Sequence, residues 1–331
     1  MVPLYGGGVD GVLRVRDLDE EALLAEFVPL LPQGDAEVPV GDDAAVVPVS
    51  DGRFVVTTDV LVEDHHFRRE WSSGADIGWR AVMQNAADVG AMGAVPVALV
   101  VGAVLPGDLE VEWVRALARG MAEACGAITL ETGAACGVVG GDLSAGDTVV
   151  LAVTAHGDLQ HRQPVLRSGA RVGDVVAHAG TLGLSAAGLA ALRAGREGHD
   201  DVVRVYRRPV PPLAAAVAAA RQGAHALMDV SDGLLLDGGR MARASGVTLD
   251  LSLAGLLDPR VRAVAQAAGV DPLPWVAGGG EDHGFLATFA PGTLPAGFRP
   301  VGRVLPRGGQ PVLVDGATPT LRTGWDHFAG G

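Results

Sequence analysis

Short β-branched or apolar segments typical of β-strands alternate along this chain with segments that have the 3.6-residue periodicity of α-helices. In the first half, strands are predicted at 44–49, 54–58, 95–105 and 148–155, and helices at 75–92 and 109–125. Such alternation is typical of layered domains in which helices cover a sheet. The chain is therefore predicted to have an α/β fold built on mixed sheets.

A polar, turn-rich stretch from Gly157 to Gly173 interrupts this pattern. The alternation then resumes, with strands predicted at 174–178, 226–230 and 247–251 and helices at 184–193, 213–221 and 234–244. A chain of 331 residues is long enough for two domains of ordinary size, each with its own core. We therefore predict an N-terminal domain at 1–157 and a C-terminal domain at 158–331.

All 25 basic residues are arginines, because the chain contains no lysine. A phosphate-loop lysine, a pyridoxal phosphate Schiff base and a kinase-type strand lysine are therefore excluded. The formal net charge is -14 and the sequence has no run of basic residues, which argues against nucleic acid as the main partner. An anionic ligand would need positive charge from another source.

The sequence predicts a cytoplasmic protein with no membrane partner. Its two cysteines, Cys125 and Cys136, are not spaced as a C-x-x-C pair and are interpreted as reduced, buried thiols. The N-terminal segment lacks the basic start and the apolar stretch of a secretory signal. The longest apolar run, at 95–105, contains Pro96 and Gly102 and is shorter than the roughly 18–20 residues that cross a bilayer.

Acidic residues stand at the ends of apolar segments, where glycine, serine, threonine or asparagine flanks them. The motifs are GDDAAVV with Asp42 and Asp43, VVTTD with Asp59, NAAD with Asp88, GGD with Asp142, MDVSDG with Asp229 and Asp232, and GGGED with Glu281 and Asp282. Glycine allows a backbone to approach a ligand closely, and serine and threonine add hydroxyl oxygens. Converging carboxylates repel one another unless cations lie between them, and Mg²⁺ is the oxygen-preferring cation that accompanies phosphates. The motifs therefore predict a polyphosphate held through Mg²⁺, which would supply the charge that lysine supplies elsewhere.

Each of these aspartates, taken alone, has a simpler interpretation as a turn residue or a helix N-cap. Neighbouring side chains of a strand point to opposite faces, so at most one of Asp42 and Asp43 would reach a given ion. His65 and His66 follow the TTD motif and either contact a substrate phosphate or lie in an exposed loop. Arg167 is either a contact to a nucleotide phosphate or a surface residue.

Eight motifs in one order give the chain a resemblance to a known family. They extend from Gly41 to Phe328 and are GDDAAVV, TTDVLVEDHHF, NAADVGAMGAVPVAL, GGDLSAGD, LRSGARVGD, MDVSDGLLLD, GGGEDHGF and GWDHF. Together they resemble thiamine-monophosphate kinases, which belong to the PurM-like, or aminoimidazole ribonucleotide synthetase, superfamily. The resemblance implies a PurM-like two-domain fold with an α/β C-terminal domain. It also implies a homodimer in which strands of the two N-terminal domains form an intersubunit β-barrel.

The resemblance further implies a reaction and a set of site residues. The family transfers the γ-phosphate of ATP to thiamine monophosphate with Mg²⁺ ions, in the last step of thiamine diphosphate synthesis. The transfer is direct and in-line, so no residue is implied as a general base. The residues that match the family's metal ligands are Asp43, Thr57, Thr58, Asp59, Asp88, Asp142, Asp229 and Asp232. Those that match its ATP contacts are Gly141, Asp142, Arg167 and Ser231, and those that match its substrate contacts are His66, Glu281 and Trp325.

The sequence departs from the family's pattern before Gly41, where it matches poorly, and at two places within the motifs. His283 and Gly284 follow the GGED motif where the family often has Tyr-Glu, and Leu143 follows GGD where threonine is common. Two alternatives stay open: another ATP-dependent phosphotransferase or synthetase, because the superfamily's fold serves several reactions, and a nucleotide-Mg²⁺ binding protein without turnover, because of the change at His283 and Gly284. Selenophosphate synthesis is disfavoured, because the sequence lacks lysine and an N-terminal reactive cysteine.

Overall fold

The computed structural model describes residues 12–37, 47–292, 294–321 and 324. The chain divides into two compact units. The N-terminal unit comprises Met1–Val89 and Val95–Gln160, and the C-terminal unit comprises Gly90–Ala94 and His161–Gly331. Among the described residues, no helix combines the length and the apolar composition that are needed to span a membrane.

Within the described residues, the N-terminal unit is built on a mixed sheet of four strands. They are β1 (Phe54–Val62), β2 (Val95–Pro106), β3 (Gly137–Gly146) and β4 (Val150–Asp158). The spatial order is β1-β4-β2-β3; β4 is antiparallel to β1 and β2, whereas β2 and β3 are parallel. Buried and half-buried residues alternate along β4, so one face of the sheet forms a core.

The described part of the N-terminal unit has three α-helices, of which two pack against each other through glycines. They are α1 (Glu20–Phe27), α2 (Gly74–Ala91) and α3 (Val111–Thr132), and 3₁₀ turns lie at Val15–Asp17 and Val28–Leu30. A Cβ atom on Gly120 would lie 2.0 Å from the carbonyl oxygen of Ala75, and one on Gly78 would lie 2.1 Å from that of Leu117. Helices α2 and α3 therefore meet backbone to backbone, and any larger residue at these glycines would separate them.

Two features of the N-terminal sheet differ from the sequence prediction. The strand predicted at 44–49 is wrong for Val47, Pro48 and Val49, which lie in no strand; residues 44–46 lie outside the described part. Pro48 has no amide hydrogen to donate to a sheet. Strand β3 was missed, because its segment GVVGGDLSAG is rich in glycine and predicts a turn.

The described part of the C-terminal unit contains a sheet of six strands in the order β10-β7-β9-β5-β8-β6. These strands are β5 (Val175–Ala179), β6 (Ala226–Val230), β7 (Val247–Leu251), β8 (Gly284–Phe289), β9 (Phe298–Pro306) and β10 (Val312–Val314). Neighbouring strands are antiparallel, except that β10 is parallel to β7. The predicted α/β fold with mixed sheets is therefore confirmed in both units.

Six described helices accompany this sheet. They are α4 (Leu184–Arg193), α5 (Asp200–Arg207), α6 (Leu213–Arg221), α7 (Leu234–Ser245), α8 (Pro259–Ala268) and α9 (Leu273–Gly278). Fully buried residues such as Leu184, Leu234 and Leu286 form the core of this unit. The prediction for α4 is confirmed residue for residue, and that for α7 is one residue short.

Candidate functional site

In the N-terminal unit, three of the predicted metal ligands lie on the same side of the sheet. Thr57 and Asp59 are two residues apart on β1, so their side chains share one face. The Thr57 hydroxyl donates a hydrogen bond of 2.8 Å to Oδ2 of Asp88. Asp88 lies in the last turn of α2, where the helix dipole disfavours a carboxylate unless a cation or a donor compensates it.

Thr58 and Asp142 lie on the opposite face of the same sheet. The cross-strand row of Val60, Ala152, Gly102 and Asp142 alternates with the row of Asp59, Val153, Val101 and Gly141. Residues directly opposite each other share a face, so Asp142 faces the side of Val60 and Thr58. The Thr58 hydroxyl donates to the carbonyl oxygen of Val153 at 3.0 Å. Within one N-terminal unit, the structure therefore does not bring Asp142 together with Asp59 and Asp88.

Gly141 is required by the pairing of β2 and β3. A Cβ atom at this position would lie 2.2 Å from the carbonyl oxygen of Val101. The next residue, Asp142, is exposed and stands opposite Gly102, which has no side chain to shield it. The glycine-rich segment thus presents its backbone and one carboxylate at the edge of the sheet.

The loop after β1 fixes the ring of His66. The backbone amide of Val62 donates to Nδ1 of His66 at 3.0 Å, so the hydrogen of the neutral ring is on Nε2. Glu63, which the sequence analysis did not single out, anchors the loop: its buried carboxylate forms an ion pair with Arg69 and accepts a hydrogen bond from the amide of Val149. The sequence signal that could have identified Glu63 is an acidic residue directly after the apolar residues of VLVED.

In the C-terminal unit, the turn that follows β6 carries Ser231 and Asp232. The carbonyl oxygen of Ser231 accepts a hydrogen bond of 2.7 Å from the amide of Glu281, so this turn adjoins the GGGED motif. Asp229 lies at the end of β6. The structure thus brings four predicted site residues into one region of this unit: Asp229, Ser231, Asp232 and Glu281.

Two residues that the sequence analysis did not select hold this turn. Asp237 is fully buried, and its Oδ2 accepts hydrogen bonds from the amides of Asp232 and Gly233 at 2.9 and 3.1 Å. Burial raises the pKa of Asp237, although its hydrogen bonds to the Asp232 amide and Arg240 oppose the rise. Nη1 of Arg240 donates to Asp232 and to Asp237. The i, i+3 spacing of Asp237 and Arg240 on a helix was the signal that could have found them.

His283 lies between two of the predicted carboxylates. Its Nε2 is 3.5 Å from Oε2 of Glu281, and its Nδ1 is 4.0 Å from Oδ2 of Asp229. Glu281 and His283 both have left-handed backbone conformations, with φ of 68° and 51°, which non-glycine residues adopt at a cost. The departure from the family's pattern therefore falls within the candidate site.

Asp282 is an anchor rather than an exposed ligand. It accepts hydrogen bonds of 2.8 Å from the Thr181 hydroxyl and 2.8 Å from the amide of Gly183, at the start of α4. Burial raises the pKa of Asp282 to about 6, against the effect of these hydrogen bonds. The backbone of Glu281 is thereby tied to α4.

Arg167 has an exposed side chain on a segment whose backbone is held by α7. Its carbonyl oxygen accepts a hydrogen bond of 3.0 Å from the hydroxyl of Ser245. A cavity of about 630 Å³ borders the same segment and is lined by Arg162, Leu166 and His225, among others. None of the predicted site residues that the structure describes lines this cavity.

Asp43 and Trp325 lie outside the described residues. Gly324, which precedes Trp325, packs against the turn after β6: a Cβ atom there would lie 2.5 Å from the carbonyl oxygen of Asp232.

In the described part of the chain, no group of three or more His, Cys, Asp or Glu side chains is arranged to hold a metal ion. The available donors are carboxylate and hydroxyl oxygens, which fit Mg²⁺ rather than softer metals.

Comparison with known proteins defines the class of this chain. Residues 41–159 match the N-terminal domain of AIR synthase related proteins, and residues 171–293 match the C-terminal domain of the same proteins. The chain therefore has the two-domain architecture of this superfamily.

Individual relatives narrow the assignment. A thiamine-monophosphate kinase of Mycobacterium tuberculosis is 49% identical over 87% of this chain and 85% of its own length. One from Corynebacterium glutamicum is 40% identical over 87% of this chain and 88% of its own length. The solved structure of AaThiL complexed with AMPPCP and TMP has 30% identity and a TM-score of 0.75, covering 96% of this chain and 99% of that one. The chain belongs to the thiamine-monophosphate kinase family, and the resemblance seen in its motifs is confirmed.

Proposed function

We propose that this chain transfers the γ-phosphate of ATP to thiamine monophosphate. A phosphate oxygen of thiamine monophosphate forms a bond to the γ-phosphorus as the bond from that phosphorus to the bridging oxygen of ADP breaks. The products are thiamine diphosphate and ADP. The observation that carries this proposal is the 49% identity to a thiamine-monophosphate kinase over most of both chains. No observation favours a different reaction of the superfamily or a protein that binds the nucleotide without turnover.

The proposed metal ligands are the oxygen donors described above. In the N-terminal unit, these ligands are Thr57, Asp59 and Asp88 on one face of the sheet, Thr58 and Asp142 on the other face, and Asp43; in the C-terminal unit, they are Asp229 and Asp232. The hydrogen bond of 2.8 Å between Thr57 and Asp88 supports this assignment, because it places two hard oxygen donors next to each other. When bound, Mg²⁺ supplies positive charge that stabilises the charge on the transferred phosphoryl group.

The other proposed roles belong to residues that contact ATP or thiamine monophosphate. Gly141, Asp142, Arg167 and Ser231 contact ATP, and His66, Glu281 and Trp325 contact thiamine monophosphate. Because Nδ1 of His66 accepts the Val62 amide, His66 donates to the substrate phosphate from Nε2. A phosphate monoester is largely ionised near neutral pH, so alignment and charge neutralisation suffice without a general base.

The domain and oligomer assignments complete the proposal. The domains are an AIR synthase-related N-terminal domain at 1–157 and a C-terminal one at 158–331, in a cytoplasmic homodimer. The edge strand β1 supports the dimer, because Phe54, Val56 and Val60 are 54%, 57% and 46% exposed on one face. A second copy would cover this apolar face and close the two sheets into a barrel.

The decisive experiment measures thiamine diphosphate by chromatography after purified chain is mixed with ATP, thiamine monophosphate and MgCl₂. We expect product in equal amount to ADP, and no product in EDTA. AMPPCP binding without any product would favour the non-catalytic alternative. Product from another acceptor in a substrate panel, with none from thiamine monophosphate, would favour a different superfamily activity.

A further inference from the structure

A single arginine nitrogen joins two carboxylates at the turn after β6. Nη1 of Arg240 lies 2.6 Å from Oδ2 of Asp232 and 2.6 Å from Oδ1 of Asp237. The two carboxylate oxygens therefore lie within twice that distance of each other. Without a cation between them, carboxylates this close would repel each other strongly.

Asp237 holds both the turn backbone and the Arg240 side chain in place. It is fully buried, and its Oδ2 accepts hydrogen bonds from the amides of Asp232 and Gly233, while its Oδ1 accepts the one from Arg240. The backbone of the turn and the guanidinium are thus both held by one carboxylate. The position of Arg240 relative to Asp232 is consequently set by the fold, rather than by the chance rotamer of a surface side chain.

The charge of Arg240 is constant, because a guanidinium stays protonated in proteins at any working pH. Its side chain is 37% exposed, so it lies at the border between the buried Asp237 and solvent. Among the described residues, Oδ2 is the oxygen of Asp232 that accepts hydrogen bonds. Its Oδ1 is the oxygen that remains for an incoming ion.

We propose that Arg240 is the resident counter-ion of Asp232: it holds the turn at residues 231–233 folded when no Mg²⁺ is bound, and it leaves Oδ1 of Asp232 for the ion. This inference rests on the proposed role of Asp232 as a metal ligand. Arg240 is a positioning residue, which acts through Asp232. In a chain without lysine, the fixed positive charge beside this carboxylate comes from an arginine.

The test compares thermal unfolding midpoints in EDTA and in millimolar MgCl₂, without nucleotide or thiamine monophosphate. The variants are Arg240→Gln, which removes the charge, and Arg240→Lys, which keeps it; Arg243→Gln, at an exposed arginine one turn further along α7, is the matched control. We expect Arg240→Gln to lower the midpoint by about 5 °C in EDTA and Mg²⁺ to restore most of this loss. The lysine variant and the control should respond to Mg²⁺ as the wild type does.

Two results would overturn the proposal. If Arg240→Gln lowers the midpoint equally in EDTA and in Mg²⁺, Arg240 is a structural residue and no ion can take its place. If the glutamine variant melts as the wild type does in both buffers, Asp232 needs no counter-ion. Wild-type turnover is measured separately, so absence of thiamine diphosphate would refute the proposed reaction while the melting pattern still decides the role of Arg240.

Discussion

Acidification should destabilise the C-terminal unit through one histidine in its central strand. His178 of β5 is 0% exposed, and among the described residues neither ring nitrogen has a hydrogen-bond partner. A Cβ atom on Gly284 would lie 2.6 Å from Nε2 of His178, so the backbone of Gly284 lies directly against the ring. Burial, with a smaller contribution from Arg299, lowers the pKa of His178 to about 3.

The sign of the effect follows from which state of the chain, folded or unfolded, binds the proton more readily. The unfolded chain takes up a proton at this histidine below its ordinary pKa near 6.5, whereas the folded chain does so only near pH 3. The contribution of His178 to stability is therefore complete above pH 6.5 and is lost as the pH falls towards 3. Between pH 7.5 and pH 5 the loss is about 2 kcal/mol, at about 1.4 kcal/mol per pKa unit.

Urea unfolding at these two pH values measures the effect. His178→Leu removes the titrating group at similar volume, so its free energy of unfolding should fall by about 2 kcal/mol less than that of the wild type between pH 7.5 and pH 5. Any packing cost of leucine is the same at both pH values and cancels. His65→Leu, at an exposed histidine, is the control and should keep the wild-type pH dependence. A wild-type pH dependence in the His178→Leu protein would refute the reasoning.

Three further predictions concern the helix contact, the metal ligands and the dimer. Gly120→Ala should destabilise the protein by about 3 kcal/mol, because its Cβ would meet the backbone of Ala75, whereas Gly126→Ala in the same helix, with nothing within 4 Å, should stabilise it by up to about 1 kcal/mol. Urea unfolding decides this, and equal effects at the two glycines would contradict the contact. Asp59→Asn should lower the rate of thiamine diphosphate formation about 100-fold or more with an unchanged melting temperature; near-normal turnover at saturating Mg²⁺ would remove Asp59 from the ligands. Val56→Asp should convert dimers to monomers in sedimentation velocity, since it buries a charge in the proposed interface; a dimer of unchanged stability would show that another surface pairs the chains.

Much of the fold follows from local pattern. The strands at 226–230 and 247–251 and the helix at 184–193 have the predicted bounds, because glycine-containing turns lie on both sides of each apolar segment. Strand β3 was missed, since its glycines fit a turn locally and are explained only by the close approach of β2. Helix α5 was also missed, because its short charged sequence forms a helix mainly by packing against α4 and α8.

The residue types of the candidate site could be predicted from the sequence, but the sheet face was predictable only for residues within one strand. Alternation along β1 separates Thr58 from Thr57 and Asp59, and this could be read from the sequence. The face of Asp142 depends on the register of four strands, which no local pattern encodes. The pairing of Arg240 with Asp232 depends likewise on how the turn after β6 meets α7.

The glycine contact between α2 and α3 extends its influence to the far end of α2. This helix has 18 residues and is about 27 Å long, with Gly74 and Gly78 in its first turns and Asp88 in its last. A straight helix moves as a rigid rod, so a tilt imposed at the glycines would displace the Asp88 carboxylate at its far end. The position of the Asp88 carboxylate therefore depends on Gly78, about 15 Å away along the helix, which allows the close contact because it has no side chain.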